Sequence, residues 1–178
     1  MNRAVFLSIL LAAGAFFAGC DKNLPSPASA TSETNAQPAH VYPTQAQPKL
    51  RTMKLYLGAE ALDAELALTP KEEETGMMFR TNIQETDAML FDLQVPQRAS
   101  FWMKSCPESI SAAYITPDGI IQEIHHLEQN DTNAVLSARE DILFVLETKE
   151  GWFARHNIGA GTLIQSEKGP LADVFRRH

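Results

Sequence analysis

The chain has 178 residues, with 15 Lys and Arg against 22 Asp and Glu and a formal net charge of −7. That acidic balance argues against a nucleic-acid partner and against a polybasic grip on anionic lipid, because both need clustered Lys and Arg to neutralise phosphates. The length suits one domain of ordinary size, able to bury about two thirds of its surface.

Residues 4–19 carry no charge and run into Phe17-Ala18-Gly19-Cys20. Met1-Asn2-Arg3 supplies a positive start, and the apolar run Ala4 to Phe17 is shorter than the roughly 20 helical residues that span a bilayer. It reads as the h-region of an export signal. Small Ala18 and Gly19 give a peptidase access to the bond before Cys20, and the four residues resemble the lipobox, commonest as Leu-Ala-Gly-Cys, with Phe17 departing at the first place. The resemblance implies a lipoprotein: signal peptide 1–19 removed, Cys20 acylated, and two or three palmitate-like chains holding the protein on the membrane, where one chain alone binds only marginally. An ordinary secretory signal that happens to contain a cysteine is the alternative. Asp21 resembles the signal that retains such proteins in the inner membrane, so the implied place is the cell envelope, facing the periplasm. Once Cys20 carries lipid, Cys106 has no disulfide partner within the chain. It is then buried as a small apolar residue, reactive, or paired with another protein, burial being the commonest fate.

From Lys22 to Pro48 the chain is rich in Pro, Ala, Ser, Thr, Gln and Asn, with Pro at 25, 27, 38, 43 and 48. Such a composition cannot offset the entropy of folding, which predicts a disordered tether over residues 20–49 and a single folded domain over 50–178. Met53, Leu55 and Leu57 alternate as in a half-buried strand. Gly58-Ala59 permits a turn, and Leu62, Ala64, Leu66 and Leu68 continue on a second strand, making a hairpin. Thr69-Pro70 before Lys71-Glu72-Glu73-Glu74 marks a helix start, with Thr69 as cap and acids at the positive end of the dipole; Gly76 ends it. Short strands are predicted over 89–93, 100–104, 110–116, 120–127 and 142–147, with Pro117-Asp118-Gly119 as a turn. A short helix follows Gly151, a closing strand covers 159–164, and residues 171–178 form a terminal helical turn. The fold class is α+β, mostly β: about seven short strands, a partly closed barrel and one early helix.

Three segments stand together: Gly76-Met77-Met78-Phe79-Arg80, then Ala88-Met89-Leu90-Phe91, then Phe101-Trp102-Met103-Lys104. In this order and spacing they resemble the prokaryotic domain-of-unknown-function family numbered 192, whose signatures read Gly-Leu-Met-Phe-Arg, Gly-Met-Leu-Phe and Phe-Trp-Met-Lys-Asn-Thr. The resemblance continues through Asp118-Gly119-Ile120-Ile121 to Val145-Leu146-Glu147 and Gly151-Trp152, covering about residues 52–165. It implies a small β-rich domain, commonly exported or lipid-anchored, without an established reaction. The chain departs from the pattern at Met77 for Leu, Ala88 for Gly, Ser105-Cys106 for Asn-Thr, and Ser111 and Thr162 where the family carries Asp. A role that needs a carboxylate at Ser111 or an amide at Ser105 is thereby weakened.

On a strand, Trp102 and Lys104 share one face and Phe101 and Met103 the other. Lys104 along the Trp102 indole, with Arg80 nearby, would make a cationic, aromatic-walled recess for an anionic or carbohydrate-like ligand. The structural alternative is a core Trp102 and an Arg80 paired with an acid such as Glu74 or Asp92. His125-His126 lacks metal-ligand spacing, and Met77, Met78, Met89 and Met103 suit core gaps; no metal or cofactor is expected. The sequence therefore predicts a non-enzymatic, membrane-anchored periplasmic module that binds a small ligand or an envelope protein through Arg80, Trp102, Lys104 and Trp152. The alternative is a small envelope hydrolase with a thiol and base at Cys106 and His125.

Overall fold

The computed structural model describes residues 40–175. The export signal, Cys20 and Asp21 lie outside the described residues. Among the described residues no helix is long and apolar enough to cross a membrane.

Strands β1 (Thr52–Leu57) and β2 (Glu60–Ala67) form the expected antiparallel hairpin. Gly58 turns it at φ +62, a left-handed conformation that costs glycine nothing because it has no Cβ. Helix α1 (Pro70–Thr75) follows, and then β3 (Ala88–Gln97), which lies parallel to β2. Parallel neighbours need a crossover, and residues 68–87 supply it. After β4 (Ser100–Phe101) come β5 (Ile110–Ile115), β6 (Ile121–Leu127), β7 (Val135–Leu136) and β8 (Ile142–Lys149). The chain ends in α2 (Trp152–Arg155), β9 (Ile164–Ser166), β10 (Gly169–Pro170) and α3 (Leu171–Phe175). Eight strands join in one sheet in the order β10-β9-β1-β2-β3-β8-β5-β6, while β4 pairs only with β7. A bridge between Ile120 and Leu163 brings the two ends of the large sheet together. The result is α+β, mostly β, curled into a half-barrel as the sequence predicts.

Several boundaries differ from expectation, β3 running on to Gln97 instead of ending at 93. The strand at 100–104 stops at Phe101, because Ser105 takes φ +58 and the Cys106 N–H turns back to the Met103 carbonyl at 3.0 Å. The closing strand begins at Ile164 rather than Gly159, since Gly161 at φ +88 holds a turn there. The compact unit starts at His40, not at residue 50: the last part of the expected tether lies on the domain, where Gln47 Nε2 donates to the carbonyls of Glu72 and Gly76 at 3.2 and 3.0 Å.

Strand alternation sends side chains to two separate clusters. Leu66, Leu90, Leu146 and Ala113 form one row across β2, β3, β8 and β5 and belong to the cluster completed by Trp152, Phe153 and Leu171. The neighbouring residues Ala67, Phe91, Val145 and Tyr114 form a row on the opposite face, in a cluster with Met77, Met78, Met89, Met103 and Cys106. A second row on that face runs Glu65, Met89, Glu147, Ala112. Two carboxyls therefore flank a methionine on the buried side of the sheet.

Candidate functional site

The crossover between β2 and β3 builds one wall of a cleft. Its helix opens on a complete capping box: Thr69 Oγ1 accepts from the Glu72 N–H at 3.3 Å, and the Glu72 carboxylate accepts from the N–H groups of Leu68 and Thr69 at 3.0 Å each. The Leu68 amide is the main reason that Glu72 stays below the usual carboxylate range. Gly76 ends α1 at φ +44, and a Cβ there would stand 3.3 Å from the Phe91 ring. The chain then buries Met77 and Met78 and reaches Phe79, a left-handed residue at φ +61 whose N–H donates to the Ser105 carbonyl at 2.7 Å.

That bond ties the first wall to the second, the loop after β4. Here Met103 donates to the Asp131 carbonyl at 2.7 Å, and Cys106 accepts at its carbonyl from the Asn130 N–H at 2.9 Å. The cleft between the walls measures about 230 Å³. Glu73, Glu74 and Trp102 are among the residues lining it, with Phe91 and Phe101 as aromatic walls and Cys106 and Glu147 in its lining. The Phe91 and Phe101 rings meet edge to face at 5.1 Å.

Glu147 is a strongly perturbed group of the cleft lining. It sits on β8 between Met89 and Ala112, 4 % exposed, and burial pushes its carboxyl up to about 8 while the Arg80 charge pulls the other way. Glu65 on the same row meets the opposite fate. Burial raises it too, but the Arg80 guanidinium forks onto both its oxygens at 2.6 and 2.9 Å, the Leu50 N–H adds a bond at 2.7 Å, and the sum holds it below the usual carboxylate range. One carboxyl is ionised and its neighbour on the same face keeps a proton to near pH 8, since a single guanidinium serves only one of them. The sequence signal for Glu147 was its alternation with Val145, which places an acid on a buried face of an apolar strand.

Of the four residues expected to surround a recess, only Trp102 lines this cleft. Arg80 is engaged by Glu65, neither of the acids expected for it. Lys104 stands 3.0 Å over the Tyr42 ring and 5.4 Å from that of Trp102, so its main aromatic partner comes from the segment read as tether. Trp152 is a correction: it is 2 % exposed, stacks on His156 at 4.3 Å and packs in the cluster on the opposite face. The cationic recess does not form, because Arg80 and Lys104 already have partners and the cleft lining carries Glu73, Glu74 and Glu147. Ser111, aligned where the family has Asp, accepts the Gly151 N–H at 2.8 Å and so fixes the turn into α2.

The thiol and imidazole of the hydrolase alternative do not meet in the cleft. Cys106 is buried at 6 % exposure, and burial, with a smaller contribution from Glu147, pushes its thiol up to about 12. His125 binds Glu123 at 2.8 Å and packs on Tyr114 at 4.8 Å, while His126 pairs with Glu128 and Glu150. Among the described residues no group of three His, Cys, Asp or Glu side chains is placed to hold a metal ion.

A half-barrel sheet with a crossover helix and a small acid-lined, aromatic-walled cleft defines a compact β-rich domain with the buried Glu147 carboxyl in the cleft lining. The chain belongs to domain-of-unknown-function family 192, described as "Uncharacterized ACR", whose model matches residues 53–166. Solved structures share the fold, two of them as follows. One is a protein from Sinorhizobium meliloti 1021 provisionally described as a transcription regulator, 25% identical, covering 68% of this chain and 98% of its own with a TM-score of 0.64. The other is a protein of unknown function from Novosphingobium aromaticivorans DSM 12444, 26% identical, covering 67% of this chain and 90% of its own with a TM-score of 0.63. No curated protein sequence matches the chain.

Proposed function

We propose that this protein is a non-enzymatic binding module of the cell envelope, anchored in the inner membrane through lipid on Cys20 and facing the periplasm, which takes a small uncharged, carbohydrate-like ligand into the Trp102 cleft. The observation that carries the ligand class is Glu147. A carboxyl that keeps its proton to near pH 8 both donates and accepts a hydrogen bond, as a ligand hydroxyl requires. Phe91, Phe101 and Trp102 offer apolar faces to the carbon face of a sugar ring. An anionic ligand would meet Glu73 and Glu74 in the cleft and no free cation among its lining residues. The volume of about 230 Å³ falls below the roughly 300–1,000 Å³ of drug-sized sites, so the ligand is one small ring or the end unit of a longer chain. The anchor rests on the uncharged run before Cys20. The regulatory description of the Sinorhizobium protein does not transfer, since a net charge of −7 gives no footprint for nucleic acid.

Native mass spectrometry of the chain extracted from its own membranes, titrated with neutral mono- and disaccharides, tests the whole reading. The expected result is acyl mass on Cys20 that Cys20→Ser lacks, and a saturable sugar adduct that Trp102→Ala abolishes. An unmodified Cys20 removes the anchor; sugar adducts equal in wild type and Trp102→Ala, or none at millimolar sugar, remove the ligand class.

A further inference from the structure

The segment before β1 has the composition of a linker, yet it is attached at both walls of the cleft. His40 Nε2 meets Glu74 Oε1 at 3.2 Å, on the α1 side. Two residues later the Tyr42 ring lies 5.9 Å from the Trp102 ring, on the β4 side, and Lys104 Nζ covers its face at 3.0 Å. The His40 and Tyr42 rings touch each other at 4.6 Å, closing the bridge between the two contacts. Gln47 fastens the other end, its amide on the carbonyls of Glu72 and Gly76 where α1 gives way to the cleft-lining turn.

None of this attachment is a strand ladder, and its apolar residues are only partly covered. Val41 is 85 % exposed and Tyr42 41 %. A further cavity of about 670 Å³ separates the strap from α1, lined by Tyr42, Gln47, Lys71, Glu74 and Thr75. Glu74 and Thr75 line both that cavity and the cleft. A segment held by half-exposed side-chain contacts above an open space can leave without disturbing the sheet.

We propose that His40–Pro48 is a latch across the mouth of the Trp102 cleft: docked, it clasps Glu74 to Trp102 and restricts entry, and its release admits ligand to Glu147. The inference rests on the cleft being the binding site. Ligand in the cleft and a docked strap favour opposite states of the latch, so each weakens the other. Release also uncovers the Trp102 ring and frees Lys104, the one cation in the second wall's Phe101–Cys106 stretch.

Cys106 lines the cleft and, in the full-length Cys20→Ser chain, is the sole thiol, so its reaction with methyl methanethiosulfonate reports entry. The His40→Ala/Tyr42→Ala double variant is expected to label about tenfold faster than the parent, the scale set by losing two weak contacts, with a rate that stays flat in low urea as local opening does. Gln47→Ala, which releases the other end, gives a smaller rise and decides the matter if the double variant does not fold. A change below twofold, or an acceleration that climbs steeply with urea as global unfolding does, overturns the latch. The two proposals fail separately. A neutral sugar that slows labelling of the parent while strap variants label at the parent rate keeps the ligand and removes the latch; faster strap variants with no protection by any sugar do the reverse.

Discussion

On one face of the sheet the core is built mainly from branched or aromatic side chains, among them Leu55, Leu57, Leu66, Leu90, Ile115, Leu146, Trp152 and Phe153, with Met53 as its one methionine. On the other, Met77, Met78, Met89 and Met103 join Cys106, Phe91, Tyr114 and branched residues such as Ile110, Leu127 and Val145, and that face carries the cleft and the buried Glu147. Shape-defined side chains interlock closely, whereas unbranched thioethers conform to an irregular boundary. The methionine-rich face is the one that carries the Trp102 cleft. Of the methionines in the two clusters, Met77, Met78, Met89 and Met103 lie on the cleft side and Met53 on the other.

The largest test of that contrast is Trp152→Ala. Truncating a fully buried indole in the interlocked face should cost about 3–5 kcal/mol, whereas Met78→Leu on the adaptable face should cost under about 1.5 kcal/mol, both read from urea unfolding midpoints at constant m. Comparable losses at the two positions would erase the distinction. Next in size is Arg80→Met, which leaves Glu65 as a buried acid without its counter-charge and should cost about 3 kcal/mol. Adding Glu65→Gln should recover much of that loss, and a strictly additive double variant would show that the fork is not what ionises Glu65.

Glu147→Gln removes little stability at acid pH, where its effect is the smallest of the three, but changes the slope of stability with pH. Between the unfolded value of 4.5 and the folded value of about 8 the native protein holds a proton that the unfolded chain has lost. Stability from Glu147 is thus complete below 4.5 and is lost as pH rises toward 8, the direction opposite to Glu65, whose contribution is lost as pH falls. Thermal melting across this range should show the wild-type midpoint falling with pH and a flatter Glu147→Gln profile. Parallel profiles would mean that Glu147 is ionised in the folded state.

Sequence alone was enough for the hairpin, the capping box at Thr69, the turn glycines and the family signatures, because each depends on neighbours in the chain. What it could not resolve depends on partners far away. Trp152 follows a glycine in the motif whether its ring is exposed or, as here, stacked on His156 in the core. Arg80 had several acids in reach, and only the register that places Glu65 opposite Met89 selects one. Residues 40–48 have too few apolar side chains to suggest order, and are held instead by Tyr42 and Gln47. β7 is two residues long and exists only as the partner of β4.

The Phe79 N–H to Ser105 carbonyl bond joins two residues that both hold left-handed backbone, at φ +61 and +58. Such conformations cost a non-glycine residue roughly 1–2 kcal/mol each, so each loop's shape is maintained by the other. For anyone exchanging parts between relatives of this fold, the Gly76–Arg80 turn and the Phe101–Cys106 loop amount to one cassette. Transplanted together they should carry the cleft with them; moved singly, either would relax to an ordinary turn and close it.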